Sequence, residues 1–254
     1  MILNTSLIGD GPPVILLHGL FGAAKNLGVI SRALGTQHRV IAMDLRNHGA
    51  SPHDADMSYA AMAADVVATA AAQGVTSATV IGHSMGGKTA MCLALQNPGF
   101  VSSLAVLDIA PVAYSHEYDD YVRAMQAIEL LPTLTRHAAD AALQEAVTAA
   151  PMRAFLLNNL VLGAAPHWRV GLAEIAAAMP NLVGWTDPPG WQPYTGKTLF
   201  LRGAESDYVT AGAHAAITAR FPAATIAAVA GASHWLHADK PADVIASLQE
   251  FLQS

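Results

Sequence analysis

Along the chain, short unbroken apolar runs recur: "PVILLH" (13–18), "RVIAMD" (39–44), "ATVIGH" (78–83), "SLAVLD" (103–108) and "KTLFLRG" (197–203). None has the polar alternation of a half-exposed strand, so each predicts a strand buried on both faces, as in a parallel sheet. Between them lie helix-length segments. "YAAMAADVVATAAAQG" closes on Gly74, and the run from Gly86 to Gln96 stops before "NPG". "ATIAAVAG" (224–231) predicts a last strand, and the N-terminal "MILNTSLIGDGPP" reads as a first one. Strands alternating with helices predict an α/β fold, with a mostly parallel central sheet flanked by helices.

The alternation fails from about Val112 to Asp187, where Ala-rich and Leu-rich segments are cut by Pro132, Pro151, Pro166 and Pro180 without a strand-like run. These predict several short helices. Because strand patterns resume at "KTLFLRG", the expected organisation is one core domain made of residues 1–111 and 188–254, with residues 112–187 inserted as a helical cap.

Composition narrows the function classes. The chain has 254 residues, 53% of them hydrophobic, which is ample for a sizeable core. A net charge of -6 offers no basic footprint for nucleic acid or anionic lipid, so a small-molecule partner is expected. The longest uncharged stretch, Val66 to Gly87, is interrupted by Gln73, Gly74, Thr76 and Ser77, and predicts no membrane span. Cys92 is the single cysteine and lies in an apolar helical stretch, where it reads as an inert core residue. With no intrachain disulfide and no signal-like N-terminus, a cytoplasmic location is expected.

The candidate chemistry begins at "GHSMGG" (82–87), a G-x-S-x-G pattern that follows a strand and opens a helix. Gly82 and Gly86 relieve crowding at a sharp turn, which would leave the Ser84 hydroxyl projecting above the sheet. A serine needs a base, an orienting acid and donors for a developing oxyanion. "HGLFG" (18–22), straight after a strand, supplies the Leu20 amide as a donor, with Phe21 as the alternative, and the Met85 amide is its expected partner. The Leu20 and Phe21 side chains are candidate walls of an apolar pocket. His18, at the end of its strand, reads as a group that holds the loop.

"ASHWLHADKP" (232–241) offers two histidines. His234 comes sooner after the last strand and is the favoured base, while His237 leads toward the closing helix. His237 and Asp239 have no third ligand nearby, so no metal is expected. His48, His83, His116 and His137 read as turn, rim or surface residues, His83 being placed beside Ser84 to shape a substrate pocket. For the acid, two strand-end carboxylates compete: Asp108, ending "SLAVLD", and Asp207, beyond "TLFLRG".

"HGLFG", "DLRNHGASPH", "GHSMGGK", "LDIAPVAY" and "GASHWLHADKP" together resemble the YbfF-type esterases of the α/β-hydrolase superfamily, and they span most of the chain outside the insertion. The insertion after "LDIAPV" resembles the cap of that group. In the wider superfamily the acid follows the strand at "KTLFLRG", three residues past its glycine, a slot held here by Ser206. The resemblance implies that Asp108 is the acid and that Ser206 supports the His–Asp pair. Asp207, immediately after that serine, keeps the commoner arrangement as a rival, whereas Glu205 is expected to be exposed.

The implied activity is a serine carboxylesterase working through an acyl-enzyme, with no metal or organic cofactor and an acyl ester or thioester as substrate. Acyl-CoA thioesterase, cofactor-free haloperoxidase-like and carbon–carbon bond hydrolase chemistry are alternatives on the same fold, and a non-enzymatic ligand receptor is a further one. Dehalogenase and common epoxide-hydrolase mechanisms need a carboxylate where Ser84 stands. Phe155, Leu156, Leu160, Trp168, Leu172 and Trp185 could line an acyl-chain site, with Trp185 and Trp191 placed to flank an entrance. "DLRNHGAS" (44–51) is expected to organise the loops around it.

Overall fold

The structure is a computed structural model that describes residues 1–115 and 118–253. His116 lies outside the described residues. Seven strands build the main sheet: β1 (Thr5–Ile8), β2 (Pro13–Leu17), β3 (Arg39–Met43), β4 (Ala78–His83), β5 (Val101–Leu107), β8 (Thr198–Gly203) and β9 (Ala224–Val229). They lie in the order β1-β3-β2-β4-β5-β8-β9, with β1 antiparallel to β3 and all other neighbours parallel. Every apolar run singled out above is one of these strands.

The runs are continuous because both faces of the sheet are covered. Alternate side chains of a strand point to opposite faces, so Ile15 and Leu17 of β2 join one core while Val14 and Leu16 join the other. Helices α2 (Tyr59–Ala72) and α3 (Met85–Gln96) cover the first face; α1 (Gly28–Leu34) and α10 (Pro241–Gln253) cover the second. The serine hydroxyl of Ser58 caps α2 by accepting from the Ala61 amide.

Between β5 and β8 lie α4 (Tyr118–Gln126), α5 (Arg136–Leu143), α6 (Ala150–Leu157), a two-residue antiparallel ladder of β6 (Leu160–Val161) with β7 (His167–Trp168), and α7 (Leu172–Val183). Helices α8 (His214–Arg220) and α9 (Leu236–Asp239) complete the set. Two details depart from the expectation of proline-cut helices without strands. The β6–β7 ladder is too short to leave a hydrophobic pattern. Pro180 sits inside α7 and does not end it, because Leu172, Ile175, Met179 and Leu182, spaced for one helix face, are all buried in the core. Pro151 stands in the first turn of α6, where its missing N–H breaks nothing. Among the described residues no helix is long and apolar enough to cross a membrane.

From β2 the chain first crosses to β3 on one side and then returns past β2 to β4 on the other. A crevice therefore opens between the carboxyl ends of β2 and β4, the usual place for a ligand in an open parallel sheet.

Candidate active site

Ser84 occupies that crevice edge, between the last residue of β4 and the first of α3, with φ 52° and ψ -120°. Such a left-handed backbone is costly for a side chain bearing a Cβ and concentrates at functional sites. Close contacts enforce the turn: a Cβ on Gly82 would lie 2.2 Å from the Gly86 carbonyl oxygen, and one on Gly86 would lie 2.4 Å from the Leu17 oxygen. The glycines of "GHSMGG" are thus steric requirements of the bend that lifts Ser84.

Phe21, Asn47 and Asp108 are the other non-glycine residues with positive φ among those described. Together with Ser84 they follow the ends of β2, β3, β4 and β5, so the strained backbone is confined to one rim of the sheet.

Asp108 is fully buried one residue past β5. His234 Nδ1 donates to its Oδ2 at 2.7 Å, the Gly203 amide donates to its Oδ1 at 2.9 Å, and the Ser206 hydroxyl donates to Oδ2. Ser84, Asp108, the Gly203–Ser206 turn and His234 follow β4, β5, β8 and β9, four strands adjacent in the sheet. Asp207 is exposed, as is Glu205. Of the two competing carboxylates, the structure brings Asp108 to the imidazole and leaves Asp207 outside.

On its other side, His234 is held by aromatic groups. The Tyr208 ring stacks on its imidazole with centroids 3.7 Å apart and planes 14° from parallel. His83 Nε2 donates to the His234 carbonyl at 2.9 Å. Burial, reinforced by the neighbouring His237 and His234, pushes His83 well below the usual histidine pKa, so it serves as a neutral donor. Asp239 accepts from the Ser233 amide and hydroxyl at 2.9 and 2.6 Å, and thereby shapes the loop that carries His234. No group of three potential metal ligands occurs among the described residues.

The loop after β2 is fixed by a reciprocal pair. His18 Nε2 accepts the Leu45 amide at 2.9 Å, while His48 Nε2 accepts the Phe21 amide at 3.1 Å. Their Nδ1 atoms donate to the Gly19 and Arg46 carbonyls, at 2.8 and 2.9 Å. Burial pushes His48 down to about 3, with repulsion from His18 adding to it, and burial lowers His18 as well. Both rings are therefore neutral struts. The Phe21 and Gly22 amides are engaged, by His48 Nε2 and by the Gly19 carbonyl; Met85 stands at the first position of α3, where a helix provides no partner for its N–H. Asp44 completes the loop by accepting from Ala24 and Ala50 amides at 2.7 and 2.9 Å.

A cavity of about 580 Å³ opens over these groups, lined by Leu20, Phe21, His83, Ser84 and His234 on the core side and by Tyr118, Met152 and Phe155 on the helical side. Of the apolar candidates named from the insertion, Phe155 lines it. Leu156, Leu160 and Leu172 are buried in the core instead. Trp168 and Trp185 pack against that core, the Trp185 ring lying 6.3 Å from Tyr59, and neither lines the cavity.

Residues 12–241 match the alpha/beta hydrolase fold family. Over 253 residues the chain is 42% identical to the sn-1-specific diacylglycerol lipase ABHD11 of Xenopus tropicalis, the alignment covering 96% of this chain and 79% of that one. It is 39% identical over 244 residues to Esterase YbfF of Escherichia coli (strain K12), covering 96% and 94%. The chain belongs to the α/β-hydrolase fold family. A solved structure described as a marine microorganism esterase superposes on this hydrolase with a TM-score of 0.94 and 34% identity, covering 98% of this chain and 99% of that one. The hydrolase is thus of the esterase/lipase type.

Three residues of this hydrolase that the sequence reading did not single out support the site. Lys88, one turn into α3, is buried and donates through Nζ to the Val183 and Gly184 carbonyls at 2.9 and 2.6 Å, with Leu182 at 3.5 Å. Burial pulls its ammonium down to about 7. Asn159 Nδ2 donates to the Phe21 carbonyl at 2.8 Å, tying the loop after β2 to the helical layer. Tyr208 lies just past the Gly203–Ser206 turn but stacks on a ring 26 positions away in sequence. A lysine inside an otherwise apolar helix was the one visible signal; the other two depend on tertiary placement.

Proposed function

We propose that the chain is a serine carboxylesterase of small-molecule acyl esters. Ser84 attacks the acyl carbonyl, His234 takes the Ser84 proton, and Asp108 holds the imidazole and stabilises its charged form, while the Leu20 and Met85 amides receive the oxyanion. His234 returns the proton to the departing alcohol, then activates water that hydrolyses the acyl-enzyme. Ser206 orients Asp108. Phe21 and His83 contribute to the substrate wall, and residues 112–187 act as a cap over a core formed by residues 1–111 and 188–254.

The observation that carries this reading is the convergence on Asp108: a buried carboxylate bonded to His234 at 2.7 Å, with that histidine and Ser84 lining one cavity. The names of the relatives, a lipase and esterases, agree with ester bonds as the target. Turnover of p-nitrophenyl esters and acyl-CoA by wild type and Ser84→Ala tests it. Saturable ester turnover that falls by about 10⁶-fold in the variant is expected. Retained turnover in Ser84→Ala would overturn the assignment, faster acyl-CoA cleavage would make the enzyme a thioesterase, and a single turnover with retained product would mark a receptor.

A further inference from the structure

We propose that this hydrolase seats the acyl group of its substrate in a small cavity on the Lys88 side of Ser84 and the alcohol in the large apolar one. It would then act on short-acyl esters of bulky apolar alcohols. The inference rests on Ser84 as nucleophile and His234 as its base.

Ser84 forms part of the wall of two cavities. The large one, about 580 Å³, includes His234; the second, about 30 Å³, includes Met85, Lys88 and Leu182 but not His234. Leu20 and Tyr118 belong to both walls, and the Tyr118 and Tyr208 hydroxyls are hydrogen-bonded at 2.6 Å where the two spaces meet. The oxyanion donors Leu20 and Met85 both line the small cavity, which places its mouth at the reacting carbonyl.

The direction of the substrate follows from where the proton must go. When Ser84 Oγ bonds the carbonyl carbon, that carbon carries Oγ, the oxyanion, the acyl chain and the alcohol oxygen. Collapse breaks the bond to the alcohol oxygen, which keeps the electron pair and takes the proton His234 received from Ser84. The alcohol oxygen must therefore face His234, and His234 lines the large cavity. With the oxyanion held between two amides, the acyl chain is left facing the small cavity. Water later enters on the alcohol side and releases the acid.

Size then sets the acyl limit. The small cavity, about 30 Å³ against about 580 Å³ for the large one, offers far less room, so the acyl side takes the short chain, that of an acetyl or propionyl ester. The walls resist expansion. Lys88 Nζ is bonded to the Val183 and Gly184 carbonyls, and the Tyr59 hydroxyl donates to the Leu182 carbonyl at 2.6 Å, so α2 and α3 both hold the end of α7 in place.

Hexyl acetate and ethyl hexanoate are isomers that exchange the long chain between the two sides, and their kcat/KM values test the assignment in the wild-type enzyme. We expect hexyl acetate to be preferred by about 100-fold or more, as rejection of several methylenes by a filled pocket implies. Leu182→Ala should narrow that ratio by roughly 10-fold, by admitting part of the longer acyl chain. Equal values, or a preference for ethyl hexanoate in the wild type, would overturn the proposal without any variant having to fold. If Ser84→Ala still cleaves hexyl acetate, the nucleophile assignment itself fails; if Ser84→Ala is inert and ethyl hexanoate is the better substrate, only the assignment of the two cavities fails.

Discussion

Asp108 accepts from an amide, a hydroxyl and an imidazole at once, and the consequences of altering each donor differ in size. Asp108→Asn presents an amide donor toward His234 Nδ1 and favours the wrong tautomer, so kcat should fall by about 10⁴-fold. Ser206→Ala removes one bond to the carboxylate and should cost about 10- to 100-fold, the worth of a hydrogen bond to a charged group. Asp207→Asn alters an exposed side chain and should leave kcat within about twofold of wild type. Steady-state rates on one ester rank the three, and a larger loss in Asp207→Asn than in Asp108→Asn would reverse the choice of acid. At this scale the strand-end placement of Ser84 and His234 was legible because short local patterns surround them. Which carboxylate meets His234 was not legible from spacing alone: it depends on the positive φ that turns Asp108 under the imidazole and on the register of the Gly203 turn, neither of which spacing reveals.

At the scale of elements, α3 does more than present Ser84. Its Lys88 meets the carbonyl end of α7, where three backbone oxygens lack partners within the helix, a natural seat for a cation. Lys88→Met should lower unfolding stability by about 1–3 kcal/mol, because it removes the donor to the Gly184 carbonyl, while the Tyr59 hydroxyl and the Tyr114 amide still serve Leu182 and Val183. Urea denaturation measures this, and an unchanged midpoint would show the clamp to be idle. Asn159→Ala should act differently, loosening the loop that carries Leu20 and reducing kcat more than it raises KM. Strands were legible as continuous apolar runs because both faces of the sheet are covered. The insertion was legible only as helix-rich, since the burial of one face of α7 outweighs the cost of Pro180, and a ladder two residues long leaves no periodic trace.

Across the whole molecule, several histidines are buried in neutral form around the rim. Burial holds His48 at about 3 and His237 at about 4, and His83 well below its ordinary value. In the unfolded chain these groups take up protons near 6.5. Between that value and the folded ones the unfolded state binds more protons, so the stability these histidines govern is full above about pH 6.5 and is lost as the pH falls toward 4. Each such histidine contributes up to about 1.4 kcal/mol per pH unit in that window. Urea midpoints at pH 7, 6 and 5 should fall steadily, and His48→Gln should flatten the slope by about one proton; a flat wild-type profile would refute the neutral assignment.

The same His18 and His48 pair also makes two loops mechanically one. Each ring lends an acceptor to the other loop's backbone, at Leu45 and at Phe21, so neither amide can meet solvent until both loops have parted. Under slow deuterium labelling, these two positions, separated by 24 residues in sequence, should exchange together.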